Sequence, residues 1–182
     1  AVEVKGLTFS YEKRRIFTQG NLRLEKGKKY LLKGPSGSGK STLMQLLSKV
    51  YEDYEGEILV DGVNLRDIRE DSFNAQASFI YQDVFLFEDT FYNNITLYKD
   101  YEEEAVAEAV KGSGLLPLLE KKPQGLQEVL AENGKNLSGG ERQRISIARA
   151  IIRKPQILFA DEVTSSLNEE LGRLVEETLL SL

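Results

Sequence analysis

Gly34-Pro35-Ser36-Gly37-Ser38-Gly39-Lys40-Ser41-Thr42 meets the pattern G-x-x-x-x-G-K-[ST] at every fixed position. Glycines let successive peptide N–H groups, at Gly34, Ser36, Gly37, Ser38 and Gly39, turn inward around a polyphosphate. The positive end of the helix that follows faces the same anion. Lys40 adds a mobile cation that reaches β- and γ-phosphates, the Ser41 hydroxyl suits Mg²⁺, and Thr42 completes the loop. Residues 29–33 read as a strand before it and residues 43–50 as a helix after it, a context that a lysine-bearing surface turn does not explain. A nucleoside triphosphate is the expected ligand.

The chain of 182 residues is long enough for one domain or a core with a smaller subdomain, and 41% hydrophobic residues suffice for an interior. Lys and Arg number 24 against 29 Asp and Glu, and these charges are spread along the chain. That balance is no footprint for nonspecific nucleic-acid binding, so no nucleic-acid partner is expected. Cysteine is absent, which excludes disulfides and thiolate metal sites, and so is histidine, which removes the commonest general base. No apolar run approaches the roughly 20 residues of a membrane-spanning helix.

Short β-prone runs at residues 2–9, 21–33 and 57–60 predict strands beside the loop, with another at 77–81. Residues 156–160 are the most apolar run and are expected at the centre of a parallel sheet. Between these last two, residues 101–111, 115–119 and 138–153 read as helices separated by Gly- and Pro-containing turns, an inserted helical lobe. The pattern is that of an α/β core.

Two further strings carry chemistry. Asp161-Glu162 follow the apolar run 156–160, and carboxylates at the carboxyl end of a buried strand sit where ligands bind in open parallel sheets. Asp161 can orient Mg²⁺ and Glu162 can take the proton of an attacking water, as in a Walker B site, although an ordinary acid-capped strand end has the same local look. Leu137-Ser138-Gly139-Gly140-Glu141-Arg142-Gln143-Arg144 joins a good N-cap, Ser138, to two glycines and a helix start, a weaker version of the phosphate loop. Ile145, Ala148, Ile151 and Ile152 should form the buried face of that helix.

The phosphate loop, the L-S-G-G-E-R-Q-R signature and the Walker B string in this order resemble the ATP-binding cassette (ABC) family over essentially the whole chain. The resemblance implies a P-loop NTPase (RecA-like) α/β core with an N-terminal antiparallel β subdomain and an inserted α-helical subdomain. Residues 1–82 and 155–182 would form the core and β subdomain, and 83–154 the helical signature subdomain. It implies ATP and Mg²⁺ as ligands, with Ser41, Gln82 and Asp161 around the metal and Lys40, Gln82 and Glu162 as the catalytic set. Tyr11 resembles the aromatic that stacks on adenine; the bland alternative is a strand-end tyrosine in a hydrophobic cluster. Ser138, Gly139 and Gly140 would contact the γ-phosphate held by the P-loop of a second ABC domain in a head-to-tail dimer. Residues 82–95 resemble the exporter-type segment that receives a helix from a transmembrane domain, with Phe85 and Phe87 either exposed for that purpose or anchoring the lobe. The expected location is the cytoplasmic face of a membrane.

Three departures from the family pattern stand out. Ala131 replaces a usual glycine ahead of the signature, and Asn168 stands where an aspartate is usual, keeping an N-capping oxygen without the charge. The family's histidine after the next strand is missing. The chain stops at Leu182 within a helix-like run, so the histidine and a final strand are expected beyond it, and hydrolysis by these residues alone is expected to be weak. The preferred reading is the ATPase domain of an ABC exporter, whose substrate the membrane domain would select. The alternatives are a non-catalytic nucleotide switch and a soluble ABC ATPase of DNA repair or translation.

Overall fold

Val2, Val4, Leu7 and Phe9 are buried along β1 (Val2–Tyr11), the inward half of a two-residue alternation. Strand β1 pairs antiparallel with β2 (Arg14–Leu24) on one side and β3 (Glu55–Val60) on the other, and β3 with β4 (Val63–Asn64), giving a sheet ordered β2-β1-β3-β4. Asp61 and Gly62, at φ of 48° and 83°, make the tight turn from β3 to β4. These strands, α1 (Lys40–Leu47) and α2 (Glu70–Gln76) belong to a first compact unit, Ala1–Gln76. The computed structural model describes residues 1–182, and a second unit holds Ala77–Leu182.

The second unit is built on β5 (Ala77–Ile80) paired in parallel with β6 (Ile157–Ala160), in register from Ala77 opposite Ile157 to Ile80 opposite Ala160. Helices α3 (Phe91–Thr96), α4 (Glu103–Gly112), α5 (Leu116–Leu119), α6 (Gly139–Arg153) and α7 (Glu169–Ser181) complete it. Helix α6 is its axis, packing on β5, α3 and α4. The expected face of Ile145, Ala148, Ile151 and Ile152 is buried, joined by Ile147, Ala150 and Gln143. Each large aliphatic side chain buried this way contributes about 1.5–3 kcal/mol. No helix is long and apolar enough to cross a membrane.

Three expectations change. Residues 29–33 form no strand: the chain from Glu25 to the phosphate loop joins no ladder, and Tyr30, Leu31 and Leu32 are 52%, 78% and 53% exposed. Apolar side chains give such a segment strand propensity, but a strand exists only against a hydrogen-bonded neighbour. For the same reason β6 is not the centre of a sheet; its one partner is β5, and its side chains are partly or fully exposed. The helix expected at 43–50 starts at Lys40 instead and ends at Leu47.

Gly56, at φ 88°, lies against the β1 backbone where the β1–β3 register shifts between Lys5 and Thr8. A Cβ there would lie 2.5 Å from the carbonyl oxygens of Lys5 and Gly6, whereas at Gly62, at φ 83°, it would meet open space. Gly56→Ala is expected to lower the unfolding free energy by more than about 2 kcal/mol and Gly62→Ala by about 1 kcal/mol. Urea midpoints measure both, and equal losses would show that the close approach costs nothing.

Candidate functional site

In the first unit the phosphate loop runs into α1 through Gly37 and Gly39, both left-handed at φ 78° and 95°. Gly39 is the N-cap of α1 and supplies no side-chain cap to the helix start. Lys40 Nζ folds back to donate to the carbonyls of Gly34 (2.8 Å) and Pro35 (3.0 Å), with Ser38 Oγ at 3.5 Å. A Cβ at Gly34 would sit 2.7 Å from Ser38 Oγ, a contact that the hydroxyl can relieve by rotating. Ser36 and Ser38 are exposed, Ser41 is the second residue of α1, and Thr42 is buried beneath it.

Tyr11 ends β1 beside the same helix. Its hydroxyl donates to Gln45 Oε1 at 2.8 Å and lies 3.3 Å from Thr42 Oγ1, whose own hydroxyl can donate back, fixing the ring to α1 one turn beyond the loop. The rings of Phe9 and Tyr51 meet it edge-on at 5.0 and 5.3 Å. The tyrosine is therefore both a member of an aromatic cluster and a half-buried ring held at a fixed distance from the phosphate loop.

In the second unit, matched parallel strands end together. Asp161 N donates to Ile80 O at 2.9 Å, so Tyr81-Gln82 and Asp161-Glu162 leave the sheet at one end. The rings of Phe79 and Phe159 stack at 5.0 Å across that pair. Glu162 is exposed at φ 48°, a left-handed conformation held by a turn in which Ser165 N and Oγ donate to its carbonyl at 3.1 and 2.9 Å. Asn168 caps α7 as expected, accepting from Leu171 N at 2.9 Å.

The signature forms the start of α6. Ser138 Oγ accepts from Glu141 N at 3.2 Å and Glu141 Oε2 accepts from Ser138 N at 2.8 Å, a complete capping box. The two glycines differ. A Cβ at Gly140 would be 2.6 Å from Ser166 O, so Gly140 lets the signature approach the turn after Glu162, whereas Gly139 faces open space.

Three residues without an expected role shape this unit. Gln143, only 2% exposed, points its amide at Tyr81 O at 3.4 Å and so ties the signature helix to the chain just before Gln82. Arg149 donates through Nε to Asn94 O, through Nη1 to Phe85 O at 2.8 Å and through Nη2 to Asn94 Oδ1 at 3.1 Å. Burial lowers its pKa to about 10, which leaves it charged at neutral pH. Asn94, fully buried, uses its amide to hold Phe87 N and the carbonyls of Phe87, Asp89 and Thr90. Their only sequence signal is a polar residue at an inward helical position. With Leu86 buried, Phe85 and Phe87 are pushed outward, 64% and 39% exposed and edge-to-face at 5.2 Å. Phe85 also lines a groove of about 260 Å³ with Arg149, Leu97 and Ala150.

The profile of the ABC transporter family matches residues 17–165. The chain belongs to the ABC transporter family. Among curated ABC proteins it is 38% identical over 183 residues to an ATP-dependent lipid A-core flippase of Francisella tularensis subsp. holarctica (strain OSU18), covering 100% of this chain and 30% of that protein. The flippase of Pasteurella multocida (strain Pm70) is 42% identical over 182 residues, covering 98% and 31%. A solved bacterial Atm1-family ABC exporter with ATP bound superposes with a TM-score of 0.94 at 33% identity, over 100% of this chain and 32% of that one. The chain thus spans about 30% of the length of the curated ABC relatives it matches. Membership makes it an ATP-binding domain with the P-loop NTPase fold that the motifs implied. The non-catalytic and soluble alternatives are not favoured by exporter relatives.

In this ABC domain, removing the Arg149 guanidinium would leave the Phe85 and Asn94 carbonyls without their donor. The Phe85 carbonyl is exposed and can turn to water, whereas leaving the part-buried Asn94 carbonyl unsatisfied costs about 1–3 kcal/mol. Arg149→Met is expected to lower unfolding stability by about 1–3 kcal/mol and to speed amide exchange at Leu86 and Phe87 ahead of Val2 and Val4. Uniform exchange across both units would contradict the local role.

Proposed function

We propose that the chain is the ATP-hydrolysing domain of an ABC exporter that works as a head-to-tail pair of such domains. The observation that carries this reading is the shared end of β5 and β6, where Gln82, Asp161 and Glu162 emerge together. On this reading residues 1–82 and 155–182 are the β subdomain and RecA-like core, and 83–154 the helical signature subdomain. Ser138, Gly139 and Gly140 of one domain close on the γ-phosphate held by the phosphate loop of the other. The relatives' remaining length leaves room for a membrane-spanning part, received at residues 82–95. The exposed Phe85–Phe87 pair and the adjacent groove support that contact, and the domain would then face the cytosol.

The chemistry is in-line hydrolysis. A water oxygen forms a bond to the γ-phosphorus as the bond to the β–γ bridging oxygen breaks, and that electron pair leaves on ADP. Glu162 accepts the water's proton, and Gln82 orients the water. Lys40 leaves the Gly34 and Pro35 carbonyls for the phosphates and offsets their charge, while Tyr11 stacks on adenine. The backbone of Gly34, Ser36, Gly37, Ser38, Gly39, Ser41 and Thr42 cradles the phosphate chain. Ser41, Gln82 and Asp161 offer only oxygen donors, the set that suits Mg²⁺. That ion, when bound, supplies charge neutralisation at the phosphate oxygens.

Phosphate release from the intact protein at saturating Mg-ATP tests the reading. Lys40→Ala is expected to abolish tight ATP binding. Glu162→Gln should keep binding, cut turnover by at least about a hundredfold and accumulate ATP-bound domain pairs. Wild-type turnover in Glu162→Gln would overturn the assignment.

A further inference from the structure

We propose that Arg14 is a phosphate-binding residue of the nucleotide site, gripping a phosphate that ATP and ADP share. This rests on nucleotide occupying residues 34–42. Arg14 opens β2 and is the direct partner of Tyr11 in the β1–β2 ladder. Directly opposed residues of an antiparallel pair project to the same face, so the guanidinium shares a face with the ring read as the adenine platform. The same end of the hairpin lies against the phosphate loop. A Cβ at Gly39 would be 2.8 Å from Ile16 Cγ2 and 2.9 Å from Phe17 Cζ, and one at Gly37 would lie 3.9 Å from Arg14 Nη2.

Arg14 is exposed and joins none of the chain's ion pairs, unlike Arg69 and Arg173, which are matched to Asp71 and Glu169. A guanidinium in no ion pair, beside the loop that leads into α1, is a second cation for the same ligand. Its planar fork fits phosphate oxygens in a way that Lys40, a point charge engaged by Gly34 and Pro35, does not. Lying beside the middle of the loop and on the face of Tyr11, it meets the phosphate chain on its adenosine side, whereas Lys40 reaches toward the γ end.

Binding of ATP, ADP and adenosine to the intact protein and to Arg14→Ala, Arg14→Lys and Lys40→Ala separates the possibilities. Arg14→Ala is expected to weaken ATP and ADP about tenfold each and leave adenosine unchanged, with Arg14→Lys between. The proposal is overturned if ATP and ADP are unaffected, if ATP alone weakens, or if adenosine weakens equally, which would place the effect in the hairpin. A loss of ATP binding in Lys40→Ala keeps the phosphate-loop reading intact whatever Arg14 does. Unchanged ATP binding in Lys40→Ala overturns that reading and the Arg14 assignment with it.

Discussion

Parallel pairing of two four-residue strands, Ala77–Ile80 and Ile157–Ala160, is the contact on which the second unit depends. Parallel strands in register end on the same side, so one ladder delivers Gln82 from one segment and Asp161-Glu162 from another, some 80 residues along the chain, to one edge. Helix α6 then spans the distance from this edge to the Phe85–Phe87 loop. At its start Gln143 holds the Tyr81 carbonyl, and two turns later Arg149 holds Phe85 and Asn94. The same helix is thus hydrogen-bonded both to the chain before Gln82 and to the Phe85–Phe87 loop.

The two glycine-bearing loops use one device at two strengths. At α6 the Ser138 hydroxyl takes one first-turn donor and Glu141 returns the bond, so the helix start is partly satisfied before any ligand arrives. At α1 the N-cap is Gly39, which has no side chain to offer.

Local patterns were legible in the sequence. The Ser138 cap, the inward face of α6 and the Asn168 cap each depend on residues within one or two turns, and the structure realises all three. What failed depended on distant partners. The run Tyr30-Leu31-Leu32 has a strand's composition, but composition does not supply a neighbour, and β6 has one partner instead of two. Arg149 and Asn94 were invisible because their meaning is a contact across 55 residues; an arginine at position 149 reads as a solvated charge until the Phe85 and Asn94 carbonyls are seen around it. Gln143 lay inside a quoted motif yet gained its role only through Tyr81.

The central claim is that a complete site needs the phosphate loop of one domain and the signature of another. Gly139 faces open space, so Gly139→Asp can place a negative charge before the phosphate without disturbing the packing of its own domain. Mixing Lys40→Ala with Gly139→Asp, each inactive alone, gives mixed pairs with one intact composite site and one doubly defective site. ATP hydrolysis by the mixture is the direct measurement. The account predicts activity that rises on mixing and peaks near equal amounts; a mixture no more active than either variant alone would contradict it.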